Sequence, residues 1–495
     1  MSETPERRTY GGWHEPSTTY IGGIGKKLFY TFCILISLSI LGLMIGLWVV
    51  SVPMLLTIGL AWLLMAWRYG GRSGYEVITT RVGWRRQKRG GSHILRAGAL
   101  SNQAGGRVRL PGVAANIELW WGIDALGRKF AMMHLPTTHQ YTIHLRCTVP
   151  GFGGAEQSRI DLDVANWGEF INLNGQAGDI DCVATTIEWL PETGARAESN
   201  VADMCAPGGS PIAQAAVRET ITDVDSQGLQ FHARMSITWR AKTAAARRDP
   251  MVMLGDLAQR IPAICRNLAE LRVTGVPMSD NLIAAVVRRS YDPRTGVEAV
   301  AEQVARTDEP LVSWLDAGPV TAEETKASYF HDGAVSRTWE MHIPPRGKPN
   351  EQVLRSLLEA NAKAPRKRIT LLHRPLSPAD AAAAVERSFL SALTASNTNR
   401  GLGTARGDLG LRAAEQTRRE EADGAGVTDF SLLVTATADS EAELNRIAED
   451  IIEMGQHARI GLRPCYRYQA AAFLGGLAIG VLLPDHASTP KSLQA

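Results

Sequence analysis

LFYTFCILISLSILGLMIGLWVVSVPMLLTIGLAWLLMAW, Leu28 to Trp67, decides how the rest of this chain is arranged. These 40 residues contain no Asp, Glu, Lys, Arg or His, and Lys26-Lys27 and Arg68 close the run at its two ends. A single helix of that length would reach roughly 60 Å, about twice the hydrocarbon core of a bilayer. Two helices folded back on each other fit instead. The expected break lies near Val50-Ser51-Val52-Pro53, because proline cannot donate to the helix ladder and restricts the residue before it. Gly42-Leu43-Met44-Ile45-Gly46 offers a small-residue face on which the second helix, or a partner's helix, can pack closely. Trp62, Trp67 and Tyr69 stand where interfacial aromatics are expected. A signal peptide does not fit, since no small-residue cleavage site follows a short apolar core. A buried soluble hairpin competes, but the run is long for one.

Charge sets the orientation. Lys26 and Lys27 precede the first helix; Arg68, Arg72, Arg81, Arg85, Arg86, Lys88 and Arg89 follow the second, opposed only by Glu76. Lys and Arg at both feet place both termini and the remaining body on the cytoplasmic side, giving a multi-pass inner-membrane protein. The net charge of +3 over 495 residues is too small for a general nucleic-acid binder. The local basic excess after the hairpin reads as orientation and contact with anionic membrane lipid. Six cysteines, Cys33, Cys147, Cys182, Cys205, Cys265 and Cys465, form no C-x-x-C pair, which suits free thiols in a reducing compartment.

The fold class expected is α+β: two N-terminal transmembrane helices followed by tandem ferredoxin-like, split βαβ units. The divisions are 1–27, a cytoplasmic lead-in; 28–67, the hairpin; 68–109, a basic juxtamembrane segment; 110–292, the first unit; 293–350, a connector; and 351–495, the second unit, with a polar insertion at 397–426 and a tail from 485. Asp124-Ala125-Leu126-Gly127 makes a hairpin turn between Glu118–Trp121 and Arg128–Met133. Tyr141 to Thr148 alternates, with Ile143, Leu145 and Cys147 on one face and Thr142, His144 and Arg146 on a face read as solvated. Thereafter one plan runs twice: strand, Ser-Pro-capped helix, strand, helix, short strand, helix. The first run goes from Ile180 through Ser210-Pro211, Leu229–Arg240, Pro250–Leu271 and Val273–Pro277 to Ser279–Tyr291. The second goes from Arg368 through Ser377-Pro378, Val427–Thr437, Ser440–Met454 and Arg459–Arg463 to the final helical stretch. Ala470 to Leu483 is apolar enough to suggest a third span, but it is short, carries three glycines and occupies the place of Asn281–Ser290. It reads as a buried helix. The connector carries one expected strand, Arg337–His342, and 397–426 reads as a projecting helix or a disordered segment.

Chemistry-bearing patterns are few. A phosphate loop requires G-x-x-x-x-G-K-[ST], and neither Gly25-Lys26 nor Gly347-Lys348 has the leading glycine or the following hydroxyl. Gly401–Gly407 has the wrong spacing for a dinucleotide loop. Three D-x-D pairs, Asp161/Asp163, Asp179/Asp181 and Asp223/Asp225, could each hold a divalent ion against a sugar nucleotide, but their placement near helix and strand ends has an ordinary electrostatic reading. His134, His139 and His144 recur every five residues and could meet across one hairpin. With no G-x-S-x-G elbow and no H-E-x-x-H, the expectation is no enzyme: no catalytic, cofactor-binding or metal residue is assigned, and no cofactor.

The hairpin followed by Arg72-Ser73-Gly74-Tyr75-Glu76 and Trp84-Arg85-Arg86 resembles the PrgI-like small membrane component of conjugative type IV secretion systems. The remainder resembles the amino-terminal, non-motor region of VirB-type traffic ATPases. Together with Leu110-Pro111-Gly112, Ala317-Gly318-Pro319 and Tyr329-Phe330-His331-Asp332-Gly333, the chain is similar to a family of actinobacterial integrative and conjugative elements linked to the type VII component EccE. The resemblance implies a non-enzymatic inner-membrane structural component of a conjugative DNA-transfer apparatus. Its implied partners are membrane lipid, a secretion ATPase supplied by another chain and other membrane subunits, in an oligomer; direct DNA contact stays open. The motor domain of the traffic ATPases is missing, so no catalytic residue carries over. Two alternatives remain: an EccE-like subunit of a type VII protein exporter, and a membrane-tethered glycosyltransferase using a D-x-D pair.

Overall fold

A computed structural model gives the fold and describes residues 26–69, 72–98, 101, 109–151, 155–176, 178–194, 201, 210–222, 228–345, 349–398, 405–424 and 426–487. The lead-in, the Gly25 and Gly347-Lys348 pairs, Asp223/Asp225 and 488–495 lie wholly or partly outside these residues.

Helices α1 (Lys26–Met44) and α2 (Trp48–Ala66) fold back on each other, with Phe32 and Ile58 buried between them and Trp62 against Phe32. The reversal falls at Gly46, not at Pro53. Gly46 takes a φ of +87°, which a glycine adopts without steric cost, whereas Pro53 is accommodated inside α2 for the loss of one backbone donor. A side-chain carbon on Gly42 would collide with Ser51, so this glycine sets how closely the two helices approach. The early turn also corrects the expectation of two spanning helices. Among the described residues one helix, Trp48–Met65, is long and apolar enough to cross a membrane; the first contributes only the shorter apolar stretch Tyr30–Met44. Only 11 % of the Trp48–Met65 window is buried, which separates it from the core helix of a water-soluble body.

Strands β1 (Arg68–Tyr69) and β2 (Arg72–Ser73) pair with each other and lead into α3 (Gly74–Arg89) and strand β3 (Ile94–Arg96). Two sets of six strands follow. The first comprises β4 (Glu118–Ile123), β5 (Lys129–Leu135), β6 (Gln140–Thr148), helix α4 (Gln157–Gln176), β7 (Ile180–Pro191), helix α5 (Pro211–Thr222), β8 (Leu229–Arg240), helices α6 (Ala244–Arg248) and α7 (Pro250–Glu270), β9 (Thr274–Pro277) and helix α8 (Asp280–Tyr291). Helix α9 (Thr295–Thr307) leads to the second: β10 (Thr321–Glu324), β11 (Tyr329–His331), β12 (Ala334–Ile343), helix α10 (Arg355–Leu358), β13 (Lys367–Pro375), helices α11 (Pro378–Thr398) and α12 (Ala405–Ala422), β14 (Thr428–Ala438), helix α13 (Glu441–His457), β15 (Gly461–Pro464) and helix α14 (Gln469–Leu477).

All of β3 to β15 belong to one antiparallel sheet of 13 strands, ordered β3-β10-β11-β12-β14-β13-β7-β8-β6-β5-β4, with β9 on β6 and β15 on β12. Read from its centre, the order repeats outward. β7 pairs antiparallel with β13, and on either side the partners run β8, β6, β5, β4 and β14, β12, β11, β10. The outer edge of β6 is shared by β5 and β9, and that of β12 by β11 and β15. The stretch read as a connector therefore holds α9 and three strands, and β12 is the pairing partner of β14 in the second set. Asp332-Gly333 makes the tight turn into β12 with both residues at positive φ.

Period-two alternation gives the sheet two unlike faces. On one, Tyr141, Ile143, Leu145, Met235, Ile237 and Trp239 pack against α4 and α7, and Val335, Trp339, Ile369 and Val434 pack against α13. On the other lies a row of hydroxyls bonded across strands: Thr142 to Thr238 (2.9 Å), Thr186 to Thr370 (3.3 Å), Thr338 to Thr435 (2.9 Å) and Ser336 to Thr437 (2.7 Å). The reading of this face as solvated is overturned. Thr142 and His144 are 1 % and 2 % exposed, because the polar face lies beneath other elements of the fold. The apolar stretch after Ala470 is a buried nine-residue helix, α14, with Gly475 and Gly476 letting its backbone approach the sheet. There the Thr370 hydroxyl donates to the Gly476 carbonyl (2.5 Å), and Gln469 Oε1 accepts the Thr338 backbone N–H (2.8 Å).

The covered polar face has a pH consequence. His331 donates from Nδ1 to the Tyr291 carbonyl (2.5 Å) and accepts from the Ser336 hydroxyl at Nε2 (2.7 Å), the arrangement of a neutral ring. Burial pushes its pKa down to about 4, and burial also holds His144 well below its usual value. The unfolded chain, titrating near 6.5, binds more protons than the fold between about pH 6.5 and 4, so stability is full above that window and falls as the pH drops through it. We expect unfolding free energy to fall by on the order of 2–4 kcal/mol for His331 across that interval. Denaturant titrations from pH 7.5 to 4.5 check this: His331→Gln should show a shallower slope than the parent, and an unchanged slope would remove His331 as the cause.

Candidate functional site

The joint between the apolar hairpin and the sheet is built from a short, strongly directed sequence. Ser73 caps α3: its hydroxyl accepts the Glu76 N–H, and the Glu76 carboxylate accepts the Ser73 N–H. A side-chain carbon on Gly74 would lie 2.6 Å from the Leu64 carbonyl oxygen, so only glycine lets α3 start against the end of α2. One residue before the cap, Arg72 reaches the sheet. Its guanidinium meets Glu340 of β12 at 2.8 Å and the Tyr468 hydroxyl, and stacks on the Tyr468 ring at 4.6 Å. Arg463 of β15 bonds the same carboxylate at 2.6 Å, and the Tyr468 hydroxyl donates to it at 2.7 Å. Burial works to raise the Glu340 pKa, but the Arg72 and Arg463 guanidiniums hold it below the usual carboxylate value. Further along α3, Gln87 donates to Glu324 (2.9 Å).

The cluster joins the first residues after the apolar helix to three elements of the second strand set. Substituting Glu340→Gln leaves two guanidiniums facing a neutral amide, which we expect to cost about 1.5–3 kcal/mol of the joint. Limited proteolysis reads it out: cleavage in 68–73 should accelerate in the variant while the sheet resists as before. On the outer side of α3, Arg81, Arg85, Arg86, Lys88 and Arg89 are exposed beside exposed Ile78 and Val82, a basic and apolar surface next to the hairpin's foot. Arg81 and Arg85 lie near enough to Arg467 that, after burial, their charge helps depress its pKa.

The structure separates the other sequence candidates. Asp163 is held by Arg272 and Arg159, and Gln157 reaches Asp161 at 3.1 Å. Asp179 pairs with Arg260 (2.5 Å), and Asp181 with Arg240 (2.7 Å). Arginine thus occupies both described D-x-D pairs. His134 stacks on Tyr141 with ring centroids 4.5 Å apart and meets Glu118 at 3.1 Å. His144 meets Ser236 (2.8 Å), and His139 sits in the turn at a φ of +53°. The three histidines do not converge, because β5 and β6 pair His134 with Tyr141 and leave His144 facing β8. Among the described residues, no group of three or more His, Cys, Asp or Glu side chains could hold a metal ion.

A second polar centre went unread in the sequence. Glu188 on β7 is 4 % exposed and carries Arg368, its register partner on β13, and Arg289 of α8 at 2.9 Å. Arg234, on the neighbouring strand β8, lies close enough to act on the same carboxylate. Burial opposes ionisation of Glu188, yet Arg368, Arg234 and Arg289 together keep its pKa far below the usual carboxylate range. The only local hint was charge at even positions of strands that read as half-buried, with nothing to say those strands would be neighbours. No family model and no curated protein matches this chain.

Proposed function

We propose that this chain is a non-enzymatic inner-membrane component of a type IV-like conjugative transfer apparatus. Its apolar helix α2 inserts in the membrane, with the shorter α1 packed back on it and the basic α3 held at the cytoplasmic surface, and its sheet is the platform on which a separate ATPase and neighbouring membrane subunits dock. The observation that carries the reading is an apolar helix, α2, that buries little of itself and whose following strand is pinned to the sheet through Arg72, Glu340 and Tyr468. Leu56, Leu60 and Leu63 on α2 and Ile34, Leu38 and Leu41 on α1 all face outward, as side chains in contact with lipid would. The basic α3 after α2 favours the cytoplasmic side for the body that follows it.

Strand order supports the ferredoxin-like assignment of the two sets. Counting β6, β7, β8 and β9 as first to fourth, the order is 4-1-3-2, antiparallel throughout, and β12, β13, β14 and β15 repeat it. Two such units in one sheet make a broad surface suited to docking. The sequence contains no Walker A loop, so ATP turnover is assigned to the docked partner. The test is co-purification at physiological salt of the detergent-solubilised chain with a hexameric transfer ATPase encoded beside it. A chain that stays monomeric and captures no ATPase sinks the platform.

A further inference from the structure

A cleft of about 560 Å³ opens between the polar face of the first strand set and the helices α8 and α9. That volume falls within the roughly 300–1,000 Å³ typical of small-molecule sites. Its charged lining is four arginines, Arg146, Arg234, Arg289 and Arg306, against two glutamates, Glu188 and Glu302. The imbalance sharpens at the inner end. Three guanidiniums, Arg234, Arg289 and Arg368, act on the single carboxylate of Glu188. Glu302 is already engaged, accepting the Thr193 hydroxyl at 2.8 Å.

Arg234 is the informative residue. It is 8 % exposed, and its Nη2 donates to the Leu477 carbonyl at the end of α14 (2.8 Å). Among the described residues its Nε has no hydrogen-bond partner. Gln230, four residues away on the same face of β8, leaves a buried Nε2 donor without a partner among those residues as well. Burial lowers the Arg234 pKa to about 10, with Glu188 opposing and Arg368 and Arg289 adding to the fall, so the group remains a cation at neutral pH. A buried cation with an unmade hydrogen bond costs free energy that a matching anion would recover. The facing wall is apolar, formed by Met278, Leu282 and Val286, and Phe231 stands 41 % exposed at the edge, packed on Trp189.

We propose that this cleft binds a phosphate monoester carried on an apolar or ring-bearing body of nucleotide size. The phosphate takes the free Arg234 Nε, Arg289 and Gln230, and the body lies along Leu282, Val286 and Phe231. Three guanidiniums against one carboxylate leave two positive charges, and a phosphate dianion supplies two negative ones. A planar, forked donor suits phosphate oxygens better than a single ammonium would. The inference concerns the sheet alone and stands whether or not the hairpin anchors a transfer machine.

The test is isothermal titration of the full chain in nanodiscs of neutral lipid, with inorganic phosphate, AMP and GMP, and a parallel series with phosphatidic acid in the disc. We expect saturable binding of a nucleoside monophosphate in the micromolar range, with inorganic phosphate competing. Arg289→Gln and Gln230→Leu, which leave Arg234 and Glu188 in place, should each weaken binding about tenfold. A site filled by phosphatidic acid, blocking the soluble compounds and sensitive to both variants, assigns the same phosphate chemistry to a lipid headgroup. No binding of any of these at millimolar concentration, or binding that neither variant weakens, overturns the proposal.

Discussion

Substituting Glu188→Gln should destabilise the sheet by about 3–5 kcal/mol, the cost of stripping a buried ion cluster of the carboxylate that its three guanidiniums share. Glu188 is 4 % exposed, so little solvent is present to screen the guanidiniums left behind. The effect should be asymmetric. Arg289→Gln removes one cation from an excess and leaves Glu188 facing Arg368 and Arg234, so it should cost less than Glu188→Gln. Urea unfolding of both variants at pH 7 checks the order; equal costs would mean that the three arginines do not share the carboxylate. Because the folded pKa of Glu188 is depressed, its contribution is present above the unfolded carboxylate value of about 4.3 and fades as the pH falls below it. In Glu188→Gln that part of the acid response disappears. AMP should stabilise the parent by occupying the cleft that shares Glu188.

The second large effect concerns α2. Leu56 lies at the middle of the helix, 69 % exposed, with no cation on either side until Lys27 and Arg68. Leu56→Arg should cost about 2.5–3.5 kcal/mol of insertion, roughly a hundredfold in the inserted fraction. Leu56→Phe, which keeps the position apolar, should leave it unchanged. The measurement is the share of full-length chain remaining in the membrane pellet after carbonate extraction. A Leu56→Arg chain retained as well as the parent would refute α2 as the anchor, since carbonate already strips proteins held by surface charge alone. Co-purification of the ATPase tests a separate claim and can fail independently.

Several features of the fold were legible because their causes are local. The charge-free run, the Ser440 cap and the Asp124 turn all act within a few residues of themselves. Other features were misread for equally physical reasons. A proline and a glycine stood a few residues apart in the hairpin, and the reversal went to Gly46 because positive φ is cheap for glycine. Asp332-Gly333 is a strong hairpin signal that the reading of 293–350 as connector passed over.

The polar face and the Glu188 cluster were illegible in a stricter sense. Alternation from Thr142 to Arg146 states that two faces differ, but not that a segment more than 300 residues later, at Gly480, closes over Thr142 on the hydrophilic one. Glu188 and Arg368 lie 180 residues apart and become neighbours only through the register of β7 on β13.

That register has one more consequence. The long border between β7 and β13 conceals, on each half, a row of backbone amides and carbonyls that would otherwise be open to any passing strand. Cut between the sets, either piece would carry an adhesive flank whose natural complement is so much like itself that self-pairing is the simplest remedy. Covalent continuity makes this chain behave as a permanently tethered dimer of its own halves, in which neither half ever meets the wrong mate.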